Sequence, residues 1–207
     1  NEVVSQMTYE IERLYHGTPS GIDNTVVSYG KPVYFVRDLF YDDVDTYNYL
    51  LGGDGYMLFM PGIKTFTVGT TFTFLIADSG IAAPTSESVR DVRLLWLTNR
   101  FEFESLFIRC GQIANQAKQA LDRGDREGLG SLMNFNQHVL QDMTVSSSEI
   151  EKLVEAARKA GALGAKLSGG GRGGNVIALV NNDVEDDVRQ SLLDAGAKNV
   201  IRTVLGP

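Results

Sequence analysis

The order of predicted strands and helices after residue 70 constrains the fold more than any other feature of this 207-residue sequence. Residues 71–78 are rich in β-branched and aromatic side chains, which is typical of a buried strand. Helical periodicity then continues to about residue 160. Two short strands follow, over 164–167 and 175–180, joined by a glycine-rich loop. A helix over 183–195 and a last strand over 199–205 complete the chain. This order predicts an α+β fold, an elaborated ferredoxin-like split βαβ sheet with extra helices.

The limits of the predicted helices come from their terminal residues. Pro84 followed by Thr85, Ser86 and Glu87 is a good helix start, and we expect the hydroxyls to cap its first free N–H groups. The apolar stripe that begins there reaches about residue 123, with Gly111 as a candidate break. The segment 146–149, Ser-Ser-Ser-Glu, matches a capping box and predicts another helix that ends near residue 160.

The first third of the chain is organised differently. Apolar residues at steps of three or four over 3–15 predict an amphipathic helix that ends before Gly17. Residues 25–30 and 32–36 are interpreted as short strands, or as a strand pair that turns at Gly30. The acidic, tyrosine-rich stretch that follows is interpreted as an insertion with a solvated loop around Asp42, and an acidic metal loop is the alternative. A domain boundary is predicted near residues 62–70.

Composition excludes several classes of function. The net charge is −7 and no Lys/Arg-rich run offsets it, which argues against binding to nucleic acid through its phosphates. A single cysteine excludes an internal disulfide, and two histidines leave little material for a Cys/His zinc site. We expect a reducing, cytoplasmic location. Because no apolar run approaches the roughly 18 to 20 residues that span a bilayer, we expect no membrane segment.

Two glycine-rich stretches, 16–24 and 166–175, are the candidate site, and we hypothesise that they converge on one ligand. Asp23, on a glycine-flanked turn, is a candidate general base, with an Asx-turn or helix N-cap as its alternative. Glu12, on the preceding helix, is a candidate second carboxylate for a divalent cation, although a lone helical glutamate is commonly just solvated. His16 is either a pH-sensitive acid or base or a hydrogen-bonding wedge beside the turn.

The second stretch suggests an anion site. Its glycines could cradle phosphate oxygens with free N–H groups, or they form only a close-packed corner, and Walker spacing is missing. Arg172 and Lys166 either reach an anion or face water. Thr85 is either a helix cap or a substrate contact. Cys110 is interpreted as an inert small hydrophobe, and without a nucleophile elbow acyl transfer is disfavoured.

Four blocks of the sequence together resemble the C-terminal part of the mevalonate kinases, a family of the GHMP kinase superfamily. The blocks are 12–24, 76–86, 132–137 with 161–166, and 166–175. The resemblance implies a GHMP-kinase fold in which 1–68 is the remnant of an N-terminal catalytic domain, with an insertion near 37–66. Residues 69–207 would then be the C-terminal domain.

The resemblance also implies an activity, namely ATP-dependent phosphoryl transfer to the hydroxyl of mevalonate, in isoprenoid precursor synthesis, with ATP and Mg²⁺. Asp23 would be the catalytic base and Glu12 the magnesium ligand. The implied substrate-binding residues are His16, Ser20 and Thr85, and those near the nucleotide phosphates are Gly169, Gly170, Gly171, Arg172 and Gly173. The implied partners are mevalonate and ATP, without nucleic acid or membrane, and a homodimer is compatible with the family.

Two alternatives stay open: another GHMP kinase, acting on phosphomevalonate or a sugar, and a non-catalytic ligand-binding domain of the same fold. No Pro-x-x-x-Gly-Leu-Gly-Ser-Ser loop of the kind that binds ATP in this family precedes Glu12. We therefore expect these 207 residues by themselves to bind ATP weakly and to have negligible kinase activity.

Overall fold

The structure is a computed structural model that describes residues 2–16, 20–36 and 62–207. The chain divides into two compact units, Asn1–Thr67 and Val68–Pro207. The interpretation of 1–68 as the remnant of a catalytic domain and of 69–207 as a C-terminal domain stays a prediction. Each unit is described by itself below.

The first unit contains two helices and a strand pair: α1 (Glu2–His16), α2 (Ile22–Tyr29), β1 (Val33–Val36) and β2 (Gly62–Thr65). The prediction of α1 is confirmed. Strand β1 is also confirmed, but its antiparallel partner is β2, with Val33 opposite Thr65. The predicted insertion lies outside the described residues over 37–61, together with Asp42 and the predicted acidic loop, and its last residues form β2.

The prediction of a strand over 25–30 is wrong, because these residues belong to helix α2. Gly21 and Gly30 bracket the helix in the left-handed region, at φ 81° and 59°. The Gly30 N–H donates to the Val26 carbonyl oxygen at 3.0 Å and ends the helix. Thr25 is almost fully buried at 1% exposure, so tertiary packing outweighs the strand preference of the β-branched residues here.

The second unit is a four-stranded antiparallel sheet with helices. Its elements in chain order are β3 (Phe72–Asp78), α3 (Thr85–Thr98), α4 (Arg100–Arg123), α5 (Arg126–Asp142), α6 (Ser148–Lys159), β4 (Gly164–Ser168), β5 (Asn175–Val180), α7 (Glu185–Asp194) and β6 (Asn199–Leu205). The strand order is β4-β5-β3-β6, with every neighbouring pair antiparallel. This is the order of a ferredoxin-like split βαβ sheet, so the predicted fold class is confirmed.

The core of this unit lies between one face of the sheet and the helices. Alternate residues of the strands point into it, such as Leu75 and Ala77 of β3 and Val176 and Ala178 of β5, all with no exposed surface. Ile150, Leu153, Val154 and Ala157 of α6 belong to the same buried cluster. This core holds the ends of β3, β4 and β5 together, and those ends are the places from which the candidate site loops emerge.

Three helix limits differ from the prediction. The long helical region breaks at Asn99, whereas Gly111 lies inside α4. The predicted capping box of Ser146 and Glu149 is not formed: Ser147 is the N-cap and accepts a hydrogen bond from the N–H of Ile150, which has no side-chain acceptor to return. The N-cap of α3 is Pro84, without a side-chain cap bond. Thr85 is already the first helical residue, so the predicted capping by its hydroxyl is wrong.

Edge strand β4 pairs with β5 on one side, and on its open side it is bonded to α5 instead of to another strand. The Ala165 N–H donates to the Asn134 side-chain oxygen at 3.1 Å, and the Leu167 N–H donates to that of Gln137 at 2.7 Å. A Cβ atom at Gly164 would overlap the carbonyl oxygen of Gly130 on α5. Helix and strand therefore lie in direct backbone contact, which fixes where the glycine-rich loop begins.

Candidate active site

Asp23 lies exposed in the first turn of α2. Gly21 is the N-cap of this helix, so the alternative interpretation of Asp23 as an N-cap is wrong. The N-terminal end of a helix carries a partial positive charge, and a carboxylate in the first turn is favoured there. The side chain is exposed and is therefore accessible to a bound ligand.

The two residues after Asp23 fasten α2 to α1. The Asn24 side-chain amide donates to the carbonyl oxygen and to the hydroxyl oxygen of Ser5, both at 2.9 Å. The Thr25 hydroxyl donates to the Gly21 carbonyl oxygen at 2.6 Å and lies 3.3 Å from the Ser5 hydroxyl. The side chains of Ser5, Asn24 and Thr25 are all buried. This small polar cluster therefore fixes the position of Asp23 relative to α1.

Glu12 lies on α1, seven residues after Ser5, and is half-buried. Seven residues make two turns, which puts Glu12 on the same face of α1 as the α2 anchor, about 10 Å along the axis. The Ser20 hydroxyl accepts a hydrogen bond from the Ile22 N–H at 3.3 Å. The side chain of His16 and residues 17–19 lie outside the described part of the chain.

In the second unit, the glycine-rich loop between β4 and β5 uses backbone conformations that favour glycine. Gly169, Gly171 and Gly174 have φ values of 105°, 88° and 79°. A Cβ atom at Gly171 would overlap the Val145 carbonyl oxygen, and one at Gly173 would lie 2.5 Å from the Ile81 carbonyl oxygen. The loop is therefore packed backbone against backbone, which no other residue type permits.

Thr85 meets this loop, as the sequence interpretation required. A Cβ atom at Gly170 would lie 2.6 Å from the Thr85 hydroxyl oxygen, so the two residues are in close contact. The turn before α3 is bonded to the other end of the loop: the Gly174 N–H donates to the Ile81 carbonyl oxygen, and the Ser79 N–H to that of Gly174, both at 2.9 Å. The start of α3 and the glycine-rich loop thus form one surface.

Arg172 of the loop is paired with Asp91 of α3. The hydrogen bond from the Arg172 guanidinium holds the pKa of the Asp91 carboxyl below its ordinary value. Neither of the predicted alternatives for Arg172, an anion ligand and a solvent-facing residue, includes this ion pair, and its role near the nucleotide phosphates stays a prediction.

Lys166 does not extend toward the loop. Its amine donates to the Leu167 carbonyl oxygen at 2.6 Å, and burial lowers its pKa. Burial also raises the pKa of the nearby Cys110 thiol, which agrees with its interpretation as an unreactive side chain. The Lys166 amine is therefore engaged with the backbone of β4.

A divalent cation is compatible with the first unit on chemical grounds. Within 2–16, 20–36 and 62–207 there is no cluster of three or more His, Cys, Asp or Glu residues that could hold a metal ion. Mg²⁺ in kinases does not need such a cluster, because one or two carboxylates bind it together with substrate phosphates and water. Glu12, half-buried on a fixed helix face, fits that mode.

Sequence reasoning missed two contributors to these arrangements, Ser5 and Asp91. Ser5 is one polar residue in an amphipathic helix, and Asp91 is one acidic residue on a helix with several charges. No local pattern distinguishes either from a solvated side chain. Their partners lie 19 and 81 residues away, so only the tertiary structure reveals them.

Residues 117–198 match the protein family described as GHMP kinases C terminal. The chain therefore contains a GHMP kinase C-terminal domain, as the sequence blocks predicted. None of the helices in the described ranges is long and apolar enough to cross a membrane.

The individual proteins that the chain resembles are mevalonate kinases. It is 32% identical to the mevalonate kinase of Aeropyrum pernix over 95% of the chain and 54% of that protein. For Thermococcus onnurineus mevalonate kinase the identity is 29%, over 99% and 55%. The chain thus spans about half the length of the curated relatives it matches.

Solved structures give the same picture. The structure of L. major mevalonate kinase in complex with R-mevalonate is similar with a TM-score of 0.78 and 33% identity, over 95% of this chain and 55% of that one. Streptococcus pneumoniae phosphomevalonate kinase, in complex with phosphomevalonate and AMPPNP, has a TM-score of 0.76 at 15% identity, over 96% and 60%. The second likeness bears on the fold alone.

Proposed function

We propose that the complete polypeptide carrying these residues transfers the γ-phosphoryl group of ATP to the hydroxyl group of mevalonate. The observation that carries this proposal is identity above 30% over 95% of the chain, both to a mevalonate kinase and to a mevalonate kinase structure with R-mevalonate bound. Because the chain spans about half of these proteins, the activity of the whole is inferred from the part.

Asp23 is the proposed general base. Its carboxylate, exposed in the first turn of α2, accepts the proton of the substrate hydroxyl while the new O–P bond forms and the bond between the γ-phosphorus and the β–γ bridging oxygen of ATP breaks. Phosphoryl transfer needs little covalent participation by the protein, so correct placement of the base contributes much of its effect. The Asn24–Ser5 anchor supplies that placement.

Glu12 is the proposed protein ligand of Mg²⁺. When bound, the ion neutralises charge on the ATP phosphates and on the leaving ADP. The bound ion would thus give this acidic chain the local positive charge that a phosphate ligand needs. The contribution of Glu12 itself is a carboxylate that the α1 backbone holds on the side where α2 is anchored.

The glycine-rich loop is the proposed phosphate-facing surface. The N–H groups of Arg172 and Gly174 are used within the fold, on the Val145 and Ile81 carbonyl oxygens. Those of Gly170, Gly171 and Gly173 donate to no acceptor in the described part of the chain. Free N–H groups that lie close together in such a loop form concave anion sites, and the adjoining Thr85 hydroxyl adds another donor at the start of α3.

A substrate panel tests the proposal. ADP release by the complete polypeptide would be followed with mevalonate, phosphomevalonate and galactose as acceptors, each with ATP and Mg²⁺. We expect kcat/KM to be highest for mevalonate. A higher kcat/KM for phosphomevalonate or galactose would instead indicate another GHMP kinase activity. No ADP release with any acceptor would contradict a kinase function.

A further inference from the structure

The Arg172–Asp91 ion pair ties the tip of the glycine-rich loop to α3. Arg172 and Asp91 side chains are only 35% and 33% exposed, and Asp91 has a second, longer contact to Arg90 at 3.4 Å. Asp91 follows Thr85 by six residues on the same helix. Helix α3 therefore contacts the loop at two points, through Thr85 at Gly170 and through Asp91 at Arg172.

The backbone conformation of Arg172 indicates that contacts with neighbouring residues hold it in place. Its φ is 60°, in the left-handed region, which a non-glycine residue adopts only under strain. Such a conformation persists only where neighbouring contacts hold it. Here the Arg172 N–H donates to the Val145 carbonyl oxygen at 2.7 Å, while the side chain is bonded to Asp91. Main chain and side chain of Arg172 are thus each held by a contact to a different segment.

We propose that Asp91 is a positioning residue that acts through Arg172. It holds the glycine-rich loop against the start of α3, so that the loop offers its free N–H groups to a phosphate while the Arg172 charge stays engaged. The effect on ATP rests on the proposed function, but the effect on the loop does not. Asp91 itself touches no reacting group in this account.

A double-mutant cycle in the complete polypeptide separates this role from direct phosphate binding by Arg172. If Asp91 positions the loop, Asp91→Asn and Arg172→Gln each raise the KM for ATP by the same factor, about tenfold, and the double variant is no worse than either. If Arg172 is instead a phosphate ligand restrained by Asp91, Asp91→Asn lowers the KM for ATP and Arg172→Gln raises it. Opposite signs would overturn the proposal.

Glu104→Gln is the matched control, because it breaks an ion pair of similar type, Arg100–Glu104, on the exposed surface of α4. We expect the KM for ATP to be unchanged in this variant. Exposed ion pairs of that kind contribute little to stability. An increase in the KM for ATP as large as that of Asp91→Asn would therefore mean that the loss of any ion pair disturbs ATP binding. That result would also overturn the assignment of Asp91.

Amide hydrogen exchange reports, without any substrate, whether the glycine-rich loop keeps its hydrogen bonds. The amides of residues 172 and 174 are hydrogen-bonded, so their exchange reports whether the loop stays in place. We expect both single variants to speed exchange at these two amides equally. The charge-reversed pair Asp91→Arg with Arg172→Asp should restore slow exchange, since aspartate tolerates a positive φ.

The two kinds of readout distinguish the possible failures. Unchanged exchange in Asp91→Asn would overturn the positioning role whatever the substrate is. Faster exchange in a protein that releases no ADP with any acceptor would leave the positioning of the loop by Asp91 standing and would contradict the proposed function instead. A thermal melt of each variant verifies that it is folded before either measurement is interpreted.

Discussion

Asp23 and the glycine-rich loop are positioned by different kinds of contact. The segment that carries Asp23 is held by buried polar side chains, chiefly the Asn24 amide on Ser5. The loop is packed by close approach of main chains at Gly171 and Gly173, which is possible because these residues have no Cβ atom. Removing side-chain atoms should therefore destabilise the segment that carries Asp23. Adding a single methyl group should destabilise the glycine-rich loop.

The largest effect is expected from Gly171→Ala. The new methyl group would overlap the Val145 carbonyl oxygen, and the backbone φ of 88° would be strained by any Cβ. We expect a loss of about 2 to 4 kcal/mol in the free energy of unfolding, measured by urea denaturation. Gly169→Ala is the matched control: φ is 105° but the space is open, so only strain of about 1 kcal/mol is expected. Equal losses in both variants would contradict the packing argument.

Asn24→Ala tests the other region and should have the next largest effect. It removes two hydrogen bonds and leaves the Ser5 carbonyl oxygen buried without this donor. We expect about 1 to 3 kcal/mol of local destabilisation, seen as faster amide exchange in α1 and α2. Exchange in β3 and β5 should not change. Asn182→Ala, at an exposed position, is the control, and an equal response in it would show that the anchor contributes nothing.

Gly111→Ala should have a smaller effect of opposite sign. Gly111 lies exposed inside α4, and a Cβ atom there meets no other atom within 4 Å. Alanine restricts the unfolded chain and favours the helix, so we expect a gain of about 0.5 to 1 kcal/mol in the free energy of unfolding. A loss in this variant, measured in the same urea titration as Gly171→Ala, would mean that the packing around α4 is tighter than described.

The pH dependence of the Asp91 contact should be the smallest effect. Because Arg172 holds the pKa of Asp91 below its ordinary value, the stabilising contribution is complete above that ordinary value, about 4, and is lost as the pH falls through the depressed one. The difference in Tm between the wild type and Asp91→Asn should then be constant from pH 5 to pH 8 and vanish in acid below the lowered pKa of Asp91. A difference that shrinks between pH 8 and pH 5 would contradict this cause.

The elements that could be predicted from the sequence are those whose signal is local. Helix α1 has apolar residues at helical spacing and strand β3 is rich in β-branched and aromatic residues, and each was predicted within about one residue. Helix α2 could not be predicted in this way, because Thr25, Val26 and Val27 favour a strand by composition. Two left-handed glycines and the buried contact with Ser5 decide the outcome, and both are consequences of the tertiary structure.

The same limit applies to the candidate site. The resemblance implied that Thr85 and the glycine-rich loop serve one site; the structure puts Thr85 beside Gly170, and the shared site stays a prediction. The Asp91 contact was not predictable, since its partner is 81 residues away and several charged residues of α3 look alike in sequence. The roles of Asp23 and Glu12, and the convergence of the two glycine-rich stretches on one ligand, stay predictions.

The central claim is that Asp23 acts as the base in phosphoryl transfer to mevalonate. The most direct measurement is kcat for mevalonate-dependent ADP release by the complete polypeptide, in the wild type, in Asp23→Asn and in Asp187→Asn. The last variant removes an exposed acid from the first turn of another helix, α7, and serves as the matched control. We expect Asp23→Asn to lower kcat by roughly 100- to 10,000-fold and Asp187→Asn to leave it unchanged. Wild-type kcat in Asp23→Asn would contradict the account.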